Sequence, residues 1–140
     1  MLQIKEGVLI KCTDKSVRTV EIPDGVTVIE REAFAGCYNL TSVTFPFSVQ
    51  FICESAFENC TSLEEVELMP GLIQIEDRAF FGCSGLQYAT VPDTVKWIGK
   101  QAFFGCDNMI HIILPKHLKI KTKDFLPKVG IFFKARITFM

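Results

Sequence analysis

Apolar and polar positions along this chain recur with a period of 23 residues. In register, the units run 22–44, 45–67, 68–90 and 91–113, with a degraded fifth beginning at 114, and residues 17–21 fit the tail of a preceding unit. Several columns are wholly apolar: Ile29, Ile52, Ile75, Ile98; Leu40, Leu63, Leu86, Met109; Val43, Val66, Ala89, Ile112; Phe45, Leu68, Val91, Leu114; and Val49, Leu72, Val95, Leu118. Two more hold one residue type each, Ala33, Ala56, Ala79, Ala102 and Phe34, Phe57, Phe80, Phe103. A unit therefore turns about seven apolar side chains inward, each large one worth roughly 1.5 to 3 kcal/mol when fully buried. A single unit of this length cannot cover such a face. Stacking into a solenoid is the arrangement that can, with the phenyl rings piled along its axis.

Within each unit the alternation around Thr41-Ser42-Val43-Thr44-Phe45 has the period of a strand with one buried face. Pro23, Pro46, Pro92 and Pro115 follow these strands and end them, because proline cannot donate to a ladder. The third unit slips by one, with Met69-Pro70, which predicts a local distortion there. A second extended piece, such as Val26-Thr27-Val28-Ile29, belongs on the opposite side. The column Gly36, Asn59, Gly82, Gly105 holds the residue types that most readily take a left-handed backbone, so a short helical turn over Arg31-Glu32-Ala33-Phe34 and its counterparts is predicted to stop there.

These residues together form the pattern A-F-x-[GN]-C-x-x-L-x-x-V-x-[FLVIA]-P, which resembles the BspA-like class of leucine-rich repeats over about residues 17–118. The resemblance implies an α/β solenoid: a right-handed superhelix with a parallel sheet on its concave side and short helical turns or strands on the convex side. It also implies binding of a protein or ligand in place of chemistry.

At 140 residues, 49% of them hydrophobic and 22% charged, the chain is long enough to bury a core and too apolar to be disordered. A net charge of −1 gives no footprint for a polyanion, so no nucleic-acid partner is expected. No run reaches membrane-spanning length, and the first residues carry no leader pattern, so the chain as written reads as soluble and cytoplasmic, with a cell-surface or secreted location if a leader was removed. Three regions follow. Residues 1–21 read as an N-terminal cap, a hairpin of 2–5 and 8–12 about Glu6-Gly7 with a first strand; residues 22–113 are the four repeats; residues 114–140 are the degenerate fifth unit and C-terminal cap, in which the expected Ala-Phe pair falls on Phe125-Leu126. The apolar segment 129–140 either folds back as that cap or pairs with a second copy to make a homodimer.

Candidate chemistry is sparse. Cys37, Cys60, Cys83 and Cys106 share a column, with Cys12 and Cys53 outside it. Ligands from four successive levels would form a nearly linear array in place of the tetrahedron zinc requires. Side chains pointing the same way also hold neighbouring thiols apart, leaving a ladder of buried free cysteines in which Cys12 or Cys53 should react first. With only His111 and His117 available as imidazole bases, no catalytic residue, cofactor or metal site is assigned. The expected site is a protein-binding surface: the outward columns of the sheet, Ser42, Thr44, Glu64, Glu65, Glu67, Gln87, Tyr88, Thr90, His111 and Ile113. A rigid array of this kind binds at small entropic cost. Phe81 and Phe104, with Trp97 and Phe51, make a second candidate surface outside the curve.

Overall fold

Residues 1–121 and 135–140 are described by the structure, a computed structural model. They stack as a β-solenoid whose strands are β1 (Leu2–Lys5), β2 (Val8–Cys12), β3 (Thr19–Glu21), β4 (Val28–Ile29), β5 (Ser42–Thr44), β6 (Phe51–Ile52), β7 (Glu65–Glu67), β8 (Gln74–Ile75), β9 (Tyr88–Thr90), β10 (Trp97–Ile98), β11 (His111–Leu114) and β12 (Arg136–Phe139). One six-stranded sheet runs β1-β2-β4-β6-β8-β10 and the other β12-β11-β9-β7-β5-β3. Every pair is parallel except the N-terminal hairpin β1–β2.

Across residues 22–113 each coil contributes a two-residue strand to the first sheet and a strand of three or four residues to the second. Alternation in Ser42-Val43-Thr44 leaves Val43 inside and its neighbours exposed. The registers join residues 23 apart, as in Val20 with Val43 and Val66 with Ala89, so every column becomes a physical row. All the apolar columns named above are buried in one continuous core. The four phenylalanines form its spine: Phe34, Phe57, Phe80 and Phe103 are fully buried and stack with centroids 4.8, 5.2 and 5.3 Å apart and planes within 4° of parallel.

The third side of the coil departs from the sequence expectation. No α-helix occurs among the described residues, only a 3-10 segment at Lys116–Lys121, so the α/β class and the helical turns are corrected to an all-β coil closed by tight turns. The reason lies in where the amides point. Phe34, Phe57 and Phe80 donate their N–H to the carbonyls of Ala56, Ala79 and Ala102 in the next coil at 2.7 to 2.8 Å, while Ala33, Ala35 and Cys37 close i to i−3 turns within their own. A left-handed residue inside each segment, Glu32, Ser55, Arg78 or Gln101 at φ 57 to 58°, prevents a helix from propagating. Asn59 at φ 60° and Gly36, Gly82 and Gly105 at φ 72 to 82° then turn the chain out. At Gly82 a Cβ would collide with Asn59 Oδ1, so a larger residue there needs that side chain to move and carries a left-handed backbone as well.

The ends are asymmetric. At the N-terminus β2 joins the first sheet beside β4, and β1 covers β2. At the C-terminus β12 lies parallel to β11 and takes the place of a further coil. The predicted Phe125-Leu126 substitution and residues 129–134 of the supposed self-association segment lie outside the described residues.

Candidate functional site

The second sheet, β3 to β12, presents its polar rows outward because its apolar alternates are drawn to the spine. One row runs Thr19, Ser42, Glu65, Tyr88, His111, Arg136, and the next Glu21, Thr44, Glu67, Thr90, Ile113, Thr138. Of the expected site residues, Ser42, Thr44, Glu64, Glu65, Glu67, Gln87 and Tyr88 are exposed, while Thr90, His111 and Ile113 are half-buried. The sheet therefore brings eight of the ten into these two rows, and Glu64 and Gln87 immediately precede β7 and β9. Glu64, Glu65 and Glu67 carry no ion pair among the described residues, whose salt bridges all lie on the turn side, Arg31 with Glu32 and Glu54, and Arg78 with Glu58.

Two members of this face escaped the sequence reading. Arg136 and Thr138, delivered by β12, flank His111: Arg136 Nη2 lies 3.3 Å from Nδ1 and Thr138 Oγ1 2.8 Å from Nε2. Because a guanidinium can only donate, Nδ1 accepts and Nε2 carries the proton toward Thr138. His111 is thus held in place between these two partners. A usable signal was present, since Arg136-Ile137-Thr138-Phe139 repeats the alternation of Ser42-Val43-Thr44-Phe45. The face runs from a triple carboxylate on the β7 level, through Tyr88 (45% exposed) and Ile110 (50%), to a basic end at Arg136.

The second candidate surface divides in two. Phe81 and Phe104 stack at 5.6 Å on the turn side, with the Arg78 guanidinium 3.6 Å above the Phe81 ring and its Nε donating to Glu58 at 2.9 Å. Phe51 and Trp97 belong instead to the first sheet, one on each side of Gln74.

The cysteines line the turn side. Cys60, Cys83 and Cys106 are fully buried, and each donates its S–H to the carbonyl of Phe34, Phe57 or Phe80 at 3.1 to 3.4 Å. Burial pushes the Cys60 thiol up to about 12 and raises Cys83 and Cys106 as well. Cys53, half-buried, is lifted to about 11 by burial and by the nearby Glu76 and Glu30. Cys12, the last residue of β2, is only 1% exposed, so the expectation that it reacts early is corrected and Cys53 alone stays partly accessible. Among the described residues no group of three His, Cys, Asp or Glu is placed to hold a metal ion, and no helix is long and apolar enough to cross a membrane.

The model of the BspA type leucine rich repeat region matches residues 4–127 in six copies. The chain belongs to that family. No curated protein matches it. Among solved structures, this BspA-type repeat chain resembles a leucine-rich repeat protein from Bacteroides ovatus, at 27% identity and a TM-score of 0.69 over 89% of this chain and 42% of that one. It also resembles the leucine rich repeat protein of T. pallidum, at 19% identity and a TM-score of 0.75 over 100% and 79%. A leucine rich cell surface protein from Faecalibacterium prausnitzii aligns at 23% identity and a TM-score of 0.61 over 95% and 38%. The BspA-type chain thus spans less than half the length of the first and third, and at these identities the second and third likenesses show the fold alone.

Proposed function

We propose that this chain is a non-enzymatic interaction module that binds a protein partner across the β3–β12 sheet, the side expected to be concave. The observation that carries the reading is the outward face itself. Six strands hold about a dozen side chains in fixed rows, and its three central carboxylates form no ion pair among the described residues. Such an array binds with little ordering cost, and Tyr88 supplies an aromatic anchor at its middle. The family assignment supports the reading, since leucine-rich repeat proteins commonly serve as interaction modules. The binding residues are then Ser42, Thr44, Glu64, Glu65, Glu67, Gln87, Tyr88, Thr90, His111 and Ile113, extended by Arg136 and Thr138. Affinity capture from a lysate of the native source tests this: the Tyr88→Ala, Glu65→Ala double variant should lose the protein that the unaltered chain retains. Full retention by that variant rejects the face.

A second reading is favoured by one observation, the position of β12 at the outer end of its sheet. There a strand of another copy could add, making the chain a self-assembling subunit through residues 129–140. Light scattering across a concentration series decides it, because a mass that stays monomeric removes the assembly reading.

A further inference from the structure

The outward sheet is broken at one place. Between the other coils the ladder continues past the strand ends: Ile22 N–H donates to Thr44 O at 3.0 Å, Leu68 to Thr90 at 3.1 Å and Val91 to Ile113 at 2.9 Å. The corresponding bond from Phe45 N–H to Glu67 O is missing, and the pairing of β5 with β7 reduces to Ser42 with Glu65. The break coincides with the slip at Met69-Pro70. Where units one, two and four place proline, the third puts the longer Met69, which packs partly buried against the core.

The gap is a cleft of about 200 Å³ lined by Val43, Thr44, Phe45, Glu67 and Met69. Its apolar lining is Val43, Phe45 and Met69, and it carries one carboxylate, Glu67. Glu65 stands on the same strand and face, and Phe47, 69% exposed, follows on the adjoining turn. A cleft that sets Val43, Phe45 and Met69 beside the Thr44 hydroxyl and the Glu67 carboxylate suits a side chain with an aliphatic stem and a cationic head.

We propose that this break receives a lysine or arginine side chain from an extended segment of the protein partner, its stem against Val43, Phe45 and Met69 and its cation between Glu67 and Glu65. The proposal rests on the sheet face being the binding surface and specifies what that surface selects. Charge complementarity orients the segment: its basic residue sits at the β5–β7 break, and its chain runs over Tyr88 toward the Arg136 end, where an acidic residue is favoured. Three levels separate Glu65 from Arg136, roughly 14 Å at the usual strand spacing, which an extended segment crosses in about four residues.

The test uses the full chain and three capped heptapeptides with serine–threonine ends and a central lysine, norleucine or glutamate between two valines, each titrated while backbone amide resonances are followed by NMR. The lysine peptide should shift the amides of Val43, Phe45, Glu67 and Met69, and the norleucine peptide should bind about tenfold more weakly, as expected for loss of one charge-assisted contact. A Met69→Pro, Pro70→Asp variant recreates the Pro23-Asp24-Gly25 turn of the first unit, so it should close the cleft and abolish the lysine-specific shifts with every glutamate still present. Its own spectrum reports whether it folds, and Glu67→Gln with Glu65→Gln gives an independent loss. Equal binding of the lysine and norleucine peptides overturns the proposal. So does a complete lack of shifts. Shifts confined to Tyr88, His111 and Ile113 overturn it while leaving the face as the binding surface.

Discussion

The phenylalanine spine and the β5–β7 seam lie within one solenoid and obey the same repeat, yet one is continuous and the other is open. Along the spine every level supplies the same ring, and the amide of that ring bonds the next coil at 2.7 to 2.8 Å from Phe34 through Phe80. At the seam, where the proline is displaced by one position, a ladder bond is missing. In a one-dimensional stack each interface depends only on the two coils that form it. A defect can therefore stay local, and a recognition feature can be placed at one level without disturbing the others.

The sharpest way to break this contrast is at the spine. Phe80→Ala removes a fully buried ring stacked on both neighbours, and should lower stability by about 3 to 5 kcal/mol in urea unfolding. Phe104→Ala removes a ring that is 42% exposed and stacked on one side, and should cost under about 1.5 kcal/mol. Equal losses would show that stacking between levels, and not enclosure, dominates. The next effect lies at the turn. Gly82→Ala places a Cβ against Asn59 Oδ1 at a φ of +73°, and should lower stability by about 1 to 3 kcal/mol in thermal denaturation. Pairing it with Asn59→Gly should recover part of that loss, because the obstructing side chain goes while the backbone strain stays.

How far the sequence discloses this molecule follows from the same contrast. The spine was readable because identical residues at a fixed interval admit one packing, and the outward rows were readable because strand alternation fixes which side chain faces water. The third side was misread as helical. Ala33-Phe34-Ala35-Gly36 is locally compatible with a helical turn, and only the next coil's carbonyls, beyond any local pattern, draw its amides away. For Arg136 and Thr138 the alternation is visible in the sequence, but the repeat has faded, so their register with His111 at a spacing of 25 does not follow from the period. At Met69-Pro70 the slip is visible in the sequence but its consequence is not, because only the stacked coils show which ladder bond is lost.

The buried thiols give a third handle on the spine side. Burial holds the native Cys60 proton to about pH 12, against an ordinary value of 9.0, so above pH 9 the unfolded chain releases a proton that the folded one retains. Stability is unaffected by this group below pH 9 and declines as pH rises from there toward 12. By pH 10 the loss should be on the order of 1 kcal/mol for Cys60. Cys60→Val should flatten the decline between pH 8 and 10 by that amount in urea titrations. An unchanged slope would mean that the coil opens locally to let the thiol ionise.

The smallest effect bears most directly on the seam. Restoring proline with Met69→Pro, Pro70→Asp allows the Phe45 amide to reach Glu67 O, as its counterparts do in the neighbouring coils, and exchanges a flexible residue for one whose φ is already fixed. One recovered hydrogen bond contributes about 0.5 to 1.5 kcal/mol and the stiffer unfolded chain about 0.4 to 1, offset by the lost packing of the Met69 side chain, so the net gain should be about 1 kcal/mol or less. Hydrogen exchange is the more discriminating measurement, because protection of the Phe45 amide should rise toward that of Leu68 and Val91 while the spine amides of Phe34, Phe57 and Phe80 stay as they were. If the spine amides gain protection equally, coils are coupled over more than one interface and the seam is not an independent feature. If the Phe45 amide alone responds, the opening is set by one side chain, and a solenoid of otherwise matched coils has been given a single level at which another molecule can enter.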